Sequence, residues 1–202
     1  PIMMTGVDLI GQAQTGTGKT AAFGIPLLEM VDGRNKNVQA LVMCPTRELA
    51  AQVAEEIGKI GKYKKGIKTL AVYGGQPIDR QIRALRAGAQ IVIGTPGRLI
   101  DHIERKTISL SACSVVVLDE ADEMLNMGFV EDIELILKKA PEKRQTVLFS
   151  ATMPAPIMAI TKRYQKEPQH VKITREILTA PSIEQCYYEL KRNKTGSAVQ
   201  AS

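Results

Sequence analysis

Six short apolar runs recur along this chain, at 7–10, 40–44, 69–73, 90–93, 114–118 and 146–149. Most are continuous in Val, Ile and Leu rather than alternating with polar residues. A half-solvated strand alternates, and a strand buried on both faces does not, so the pattern predicts a parallel sheet covered on two sides. Helix-like stretches fall between the runs, at about 18–31, 46–61, 76–87, 97–105, 129–139 and 154–165. Strand and helix in turn predict an open α/β fold, mostly parallel, with helices on both faces of the sheet. Pro26 lies inside the first helical stretch. It has no N–H to donate and is expected to bend or end that helix nearby. At 202 residues and 44% apolar content, the chain is long enough for one well-buried domain and too short for two large ones.

Several classes are disfavoured. The three cysteines, Cys44, Cys113 and Cys186, are far apart and odd in number. They suggest neither a disulfide framework nor a zinc site, and they fit a reducing, cytoplasmic setting. His102 and His170 have no companions at ligand spacing, so neither is read as a metal ligand. The opening PIMMTGVDLI lacks a basic flank and a long apolar run, so it is not read as a signal peptide. No run approaches the roughly 18 apolar residues of a membrane span, so no membrane partner is expected. The chain opens on Pro1 rather than Met, as a fragment would. Its net charge of +6 favours a polyanionic partner. Aromatic residues make up only 4%, with no Trp, so such a partner is expected to be held by phosphate and sugar rather than by base stacking.

Ligands of open α/β sheets bind beyond the carboxyl ends of the strands. Each run here is followed by polar or glycine-rich residues: AQTGTGKT at 13–20, PTRELA at 45–50, GG at 74–75, GTPGR at 94–98, DEAD at 119–122 and SAT at 150–152. In the first, Ala13, Gln14, Thr15, Gly16, Thr17, Gly18, Lys19 and Thr20 form a candidate phosphate loop. Its glycines allow a tight turn that aims N–H groups at phosphate oxygens, and the next helix adds its positive dipole end. Lys19 can reach the outer phosphates and Thr20 can place its hydroxyl on Mg²⁺. The general pattern has Gly where this chain has Ala13, and an ordinary glycine turn is the alternative reading. Asp119, at the end of a buried strand, is placed to hold Mg²⁺ with Glu120 beside it to orient or deprotonate water. Capping of a helix that starts near Ala121 is the other explanation for Asp119.

The helix starts at Thr46-Arg47 and Thr95-Pro96-Gly97-Arg98, with Gly74 and Gly75 nearby, suit a nucleic-acid backbone. Helix capping accounts for Thr95 and Pro96 equally well, but not for Arg98, which opposes the dipole preference of a first turn. Charge is also segregated. Residues 59–86 carry eight bases and one acid, and residues 119–134 carry seven acids and no base. Such runs mark either an anion-binding and a cation-binding surface or two solvated helix faces.

Taken in order, AQTGTGKT, PTRELA, GG, TPGR, DEAD and SAT closely resemble the motifs of the N-terminal RecA-like domain of the DEAD-box RNA helicases, over about residues 6–174. That family carries Ala at the first position of its phosphate loop, which makes Ala13 the family form. The resemblance implies a RecA-like P-loop NTPase fold in a domain spanning 1–174, and ATP and Mg²⁺ as cofactors. Residues 13–20 would bind the ATP phosphates, Lys19 among them. Asp119 would hold Mg²⁺ largely through water, and Glu120 would activate the hydrolytic water. Ser150 and Thr152 would contact Asp122 and couple nucleotide state to RNA binding. Pro45, Thr46, Arg47, Gly75, Thr95, Gly97 and Arg98 would touch the RNA backbone, with Gly74 and Pro96 beside them.

The resemblance also implies a second RecA-like domain as partner, bearing the arginines that stabilise the transferring phosphoryl group. Residues 175–202 would be the linker and the truncated start of that domain, with a frayed end. The family's adenine-reading segment would lie before Pro1. Three functions are compatible: an ATP-dependent RNA helicase, a nucleotide- and RNA-binding module that hydrolyses little, and a DNA translocase on the same fold.

Overall fold

A computed structural model describes residues 1–14 and 16–173. The expectations for Thr15, Cys186 and residues 174–202 therefore lie outside the described residues. One turn of 3-10 helix, Ile2–Thr5, precedes β1 (Leu9–Gln12) and α1 (Lys19–Met30). Then come β2 (Ala40–Met43), α2 (Arg47–Ile60), β3 (Thr69–Val72), α3 (Ile78–Arg86), β4 (Ile91–Gly94) and α4 (Pro96–Glu104). The chain continues through β5 (Val115–Leu118), α5 (Ala121–Asn126), α6 (Val130–Lys139), β6 (Gln145–Ser150), α7 (Ala155–Tyr164) and β7 (Gln169–Lys172).

The seven strands form one sheet in the order β3-β4-β2-β5-β6-β1-β7, and every pairing is parallel. All carboxyl ends therefore reach one edge. The continuous apolar runs are explained by the two cores. Leu41, Met43, Val116 and Leu118 face a core closed by Leu99, Met124, Ile133 and Ile157 from α4 to α7. Their neighbours Ala40, Val42, Val115 and Val117 face the opposite core, closed by Phe23, Leu27, Val53 and Ile57 from α1 and α2. Both faces are dry, so neither parity of position is polar.

The run of α1 past Pro26 and one strand that was not expected have physical reasons. Pro26 does not end α1, which runs on to Met30. Pro26 leaves the Ala22 carbonyl without its helical donor, but Ala22 is exposed and water can take that place. β7 was not expected, because all four of its residues are exposed and it has no apolar run. It forms by pairing with β1, with Gln169 N–H donating to the Asp8 carbonyl at 2.9 Å and Ile173 N–H to that of Gln12 at 2.9 Å. Among the described residues, no helix is long and apolar enough to cross a membrane.

Candidate active site

The phosphate loop leaves β1 and enters α1. Gly16 (φ 76°) and Gly18 (φ 84°) adopt left-handed backbone that a side chain disfavours. Ala13 does not, so its methyl is tolerated, and it is buried. Ala13 N–H donates to the Ser150 carbonyl at 3.0 Å, and the Thr17 hydroxyl to that of Gln14 at 2.7 Å. The loop is thus tied to the end of β6 before any ligand arrives. Lys19 is the first residue of α1 and is buried, with Nζ 4.0 Å from Glu120 Oε1. A cavity of about 690 Å³ opens beside it, lined by Gly16, Gly18, Lys19 and Thr20, by Asp119 and Glu120, and by Gln52 and Glu56 of α2.

Asp119 is 3% exposed, and its Oδ1 has no hydrogen-bond partner among the described residues. Burial pushes its pKa up to about 6, the Lys19 ammonium pulls it down, and the neighbouring Glu120 and Glu56 carboxylates add to the rise. A buried carboxylate oxygen without a donor is a costly feature unless a cation completes it. The donor set therefore fits a hard divalent ion such as Mg²⁺. The capping alternative for Asp119 fails, because residue 120 occupies the cap position of α5. Glu120 sits there with φ 53° and ψ 52°, a strained conformation for a residue with a side chain, of the kind that clusters at functional sites.

The predicted coupling residues do meet. Asp122 Oδ2 accepts from Thr152 N–H at 2.9 Å and from the Thr152 hydroxyl at 2.8 Å. Asp122 N–H donates to Ser150 Oγ at 3.3 Å, and Ser150 in turn donates to the Thr152 carbonyl at 2.7 Å. Burial raises the Asp122 pKa, but the donors of Thr152 and Ser150 outweigh it and hold the carboxyl below its ordinary value. Gln12 adds a further tie, its amide donating to the Ala151 carbonyl at 3.3 Å.

The predicted nucleic-acid residues form a second group along the same edge, after β3, β4 and β2. Thr46 caps α2 by accepting from Leu49 N–H at 3.2 Å. Pro45 precedes it. Arg47 pairs with Glu48 at 2.7 Å, and its Nη1 lies 3.1 Å from where a Cβ on Gly75 would stand. Gly75 (φ 83°) and Gly74 are exposed, and so is Gly97. Thr95 occupies the cap position of α4 with Pro96 as the first residue, yet its hydroxyl makes no cap bond. Arg98 is not free: Nη1 donates to the Gln76 carbonyl at 3.1 Å and to Gln81 Oε1 at 3.3 Å.

Four residues were missed by sequence reasoning. Gln52 and Glu56 line the cavity from one face of α2, at a spacing any amphipathic helix shows, so no signal marked them. Gln81 and His102 meet beneath Arg98, an encounter that only tertiary structure creates.

The comparisons agree with this geometry. A sequence model for the DEAD/DEAH box helicases matches residues 1–160. A DEAD-box ATP-dependent RNA helicase CshA of Bacillus cereus is 58% identical over 194 residues, covering 96% of this chain and 37% of that protein. The CshA of Bacillus subtilis is 57% identical, with 39% of its length covered. The chain thus spans about two fifths of the length of these curated relatives. The crystal structure of a DEAD box protein from Methanococcus jannaschii superposes with a TM-score of 0.81 at 46% identity, covering 85% of this chain and 47% of that one. A hypothetical ATP-dependent RNA helicase from Sulfolobus tokodaii gives 0.79 at 42% identity, with 86% and 50% covered.

Proposed function

Because the chain belongs to the DEAD/DEAH box helicase family, we propose that it is the nucleotide- and RNA-binding half of an ATP-dependent RNA helicase that separates short duplexes or remodels RNA–protein complexes in the cytoplasm. The observation that carries this reading is the division of one sheet edge. The ends of β1, β5 and β6 hold the phosphate loop, Asp119-Glu120 and Ser150–Thr152, while the ends of β2, β3 and β4 hold the two helix starts and Gly74-Gly75. The two CshA relatives are named RNA helicases and the Sulfolobus tokodaii protein a hypothetical one, which favours RNA over DNA as the polyanion. The free, buried thiols of Cys44 and Cys113 suit a reducing compartment.

In this reading the N–H groups of residues 16–20 and the Lys19 ammonium bind the ATP phosphates. Thr20 and Asp119 would hold Mg²⁺, which would supply neutralisation of the phosphate charge. Glu120, held near Lys19, accepts a proton from the attacking water. Asp122, bound to Ser150 and Thr152, transmits the state of the nucleotide toward the RNA side. A second reading applies to the chain by itself: it binds ATP and RNA but turns over little. The observation that favours it is that the cationic lining of the cavity, among the described residues, consists of Lys19 and Lys59, with no arginine to stabilise the transferring phosphoryl group. In the whole enzyme, a second RecA-like domain supplies that arginine.

The test is ATP binding and turnover by this chain, with and without single-stranded RNA, with Lys19→Ala as the blank. The expected result is ATP binding that Lys19→Ala abolishes, turnover close to the blank, and a rise of about 10³-fold or more once a second RecA-like domain is joined. In the joined protein, Glu120→Gln should bind ATP and RNA but stall. ATP binding indifferent to Lys19→Ala would overturn the nucleotide assignment. RNA-stimulated turnover by this chain alone would overturn the need for a second domain.

A further inference from the structure

Beneath the nucleic-acid side of the sheet edge lies a buried polar cluster that the chemistry above does not use. Its centre is Gln81 of α3, 3% exposed, and its neighbour is His102 of α4, fully buried. The Gln81 amide donates to the Tyr73 carbonyl at 3.0 Å. Tyr73 immediately precedes Gly74-Gly75. That donation fixes the amide's orientation and turns Oε1 toward α4. There Oε1 lies 2.9 Å from His102 Nε2 and 3.3 Å from Arg98 Nη1.

The acceptor identity of Oε1 settles the rest of the pattern. His102 Nε2 must carry a proton to donate to it. In the neutral ring Nδ1 is then an acceptor, and the Thr107 hydroxyl lies 2.8 Å from it. Thr107 N–H donates to the His102 carbonyl at 2.9 Å, so the loop after α4 closes onto the same residue while the hydroxyl hydrogen is left for Nδ1. Arg98 spends both hydrogens of Nη1 on Gln76 and Gln81, and its Nε lies 3.9 Å from Asp101. Nη2 makes no hydrogen bond among the described residues. One buried amide thus joins the end of β3, the Arg98 guanidinium from the first turn of α4 and the His102 ring from its last turn.

We propose that Gln81 and His102 are positioning residues for RNA binding, holding Arg98 and the Gly74-Gly75 turn in one rigid arrangement that meets the RNA backbone. Neither touches RNA. The inference rests on the reading of this edge as an RNA-backbone grip. Its physical ground is preorganisation: an Arg side chain free in solution loses rotamer freedom when it grips a phosphate, and one already held by its neighbours loses less. The cluster suits this task because the buried Gln81 amide and both ring nitrogens of His102 find partners, and a satisfied buried network is rigid.

The test is the affinity of the full chain for a labelled single-stranded oligouridylate, measured for Gln81→Met, Arg98→Ala, the double variant and Arg47→Ala. ATP affinity serves as the folding control. Gln81→Met keeps the volume and removes both polar atoms. It should weaken RNA binding about fivefold, the equivalent of one ordinary hydrogen bond, while ATP affinity is unchanged. Combined with Arg98→Ala it should cost little more than Arg98→Ala alone, since the two act through one guanidinium. A merely structural role would instead give additive losses and would weaken ATP binding too, and either result overturns the inference. If Arg47→Ala and Arg98→Ala weaken RNA binding but Gln81→Met does not, positioning fails and the grip survives. If none of the three matters, the grip itself fails, and positioning with it. Should Gln81→Met not fold, His102→Phe reads the same coupling: its loss should likewise be non-additive with Arg98→Ala, and additivity there overturns the proposal.

Discussion

At the scale of single residues, the clearest tension lies in Asp119. Its carboxylate is buried with Oδ1 unpartnered, and its pKa is pushed up to about 6 by that burial. An unfolded Asp releases its proton near pH 3.9. Between those values the folded protein holds a proton that the unfolded chain has lost, so stability falls as pH rises from about 4 to 6 and stays low above. Replacing the carboxylate by a neutral amide removes that cost. Asp119→Asn should therefore stabilise the chain at pH 7.5 by about 2–3 kcal/mol, and the gain should fade toward pH 4. Urea unfolding of the variant and the parent at both pH values measures this. A variant no more stable than the parent at pH 7.5 would mean that the charge is already compensated and that Asp119 is not poised for a cation. The same substitution is expected to abolish turnover in the complete enzyme, so stability and activity trade against each other at this one atom.

Among the elements, the join between β1, β6 and β7 is fastened at its start by the Asp8 carboxylate, beside the Gln165 amide, which donates to the Leu9 and Thr146 carbonyls. Asp8 Oδ1 accepts from Thr146 N–H at 2.6 Å, and Oδ2 accepts from Lys166 N–H at 2.6 Å. Asp8 thereby fastens the start of β6 and the approach to β7 onto β1. Asp8→Ala would leave two backbone donors without partners, at a cost of about 2–4 kcal/mol. Thermal unfolding would read this as a marked fall in Tm, and an unchanged Tm would show that water replaces the carboxylate freely. The same region marks the limit of what could be read beforehand. The strands between two dry cores were legible because burial on both faces leaves a continuous apolar run, as in Val115–Leu118. β7 was not, since its exposed Gln169-His-Val-Lys172 carries no pattern and its pairing comes from β1 and the Asp8 clamp. Pro26 does not end α1 at once because the packing of Phe23, Leu27 and Leu28 holds the helix one turn past the missing hydrogen bond. At the proposed site, the positions of Lys19, Asp119 and Asp122 were legible because each follows closely on a buried strand, Asp119 directly after β5 and the other two in the first turns of α1 and α5. The partners of Arg98 were not, because Gln81 and His102 are 21 residues apart and meet only once α3 and α4 dock.

For the molecule as a whole, the sheet order matters more than any single motif. The order β3-β4-β2-β5-β6-β1-β7 sets the loops proposed to meet RNA at one end of the edge and the proposed phosphate loop toward the other, with β2 and β5 adjacent at the boundary. α2 bridges that boundary: its capped first turn carries Arg47, and further along it Gln52 and Glu56 line the nucleotide cavity. The proposed RNA grip would hold phosphates and little else, since Thr46, Arg47, Arg98 and the glycine turn offer donors but no stacked aromatic surface. That has a measurable signature. Each phosphate neutralised on single-stranded RNA contributes about −0.7 to the slope of log affinity against log salt, so three or four contacts give about −2 to −3. Arg47→Ala should make the slope shallower by about 0.7, equally for oligouridylate and oligoadenylate, because a backbone contact reads no base. A slope near zero in the parent chain would mean that the edge does not hold the backbone electrostatically. A loss confined to one base sequence would mean that Arg47 reads a base edge instead.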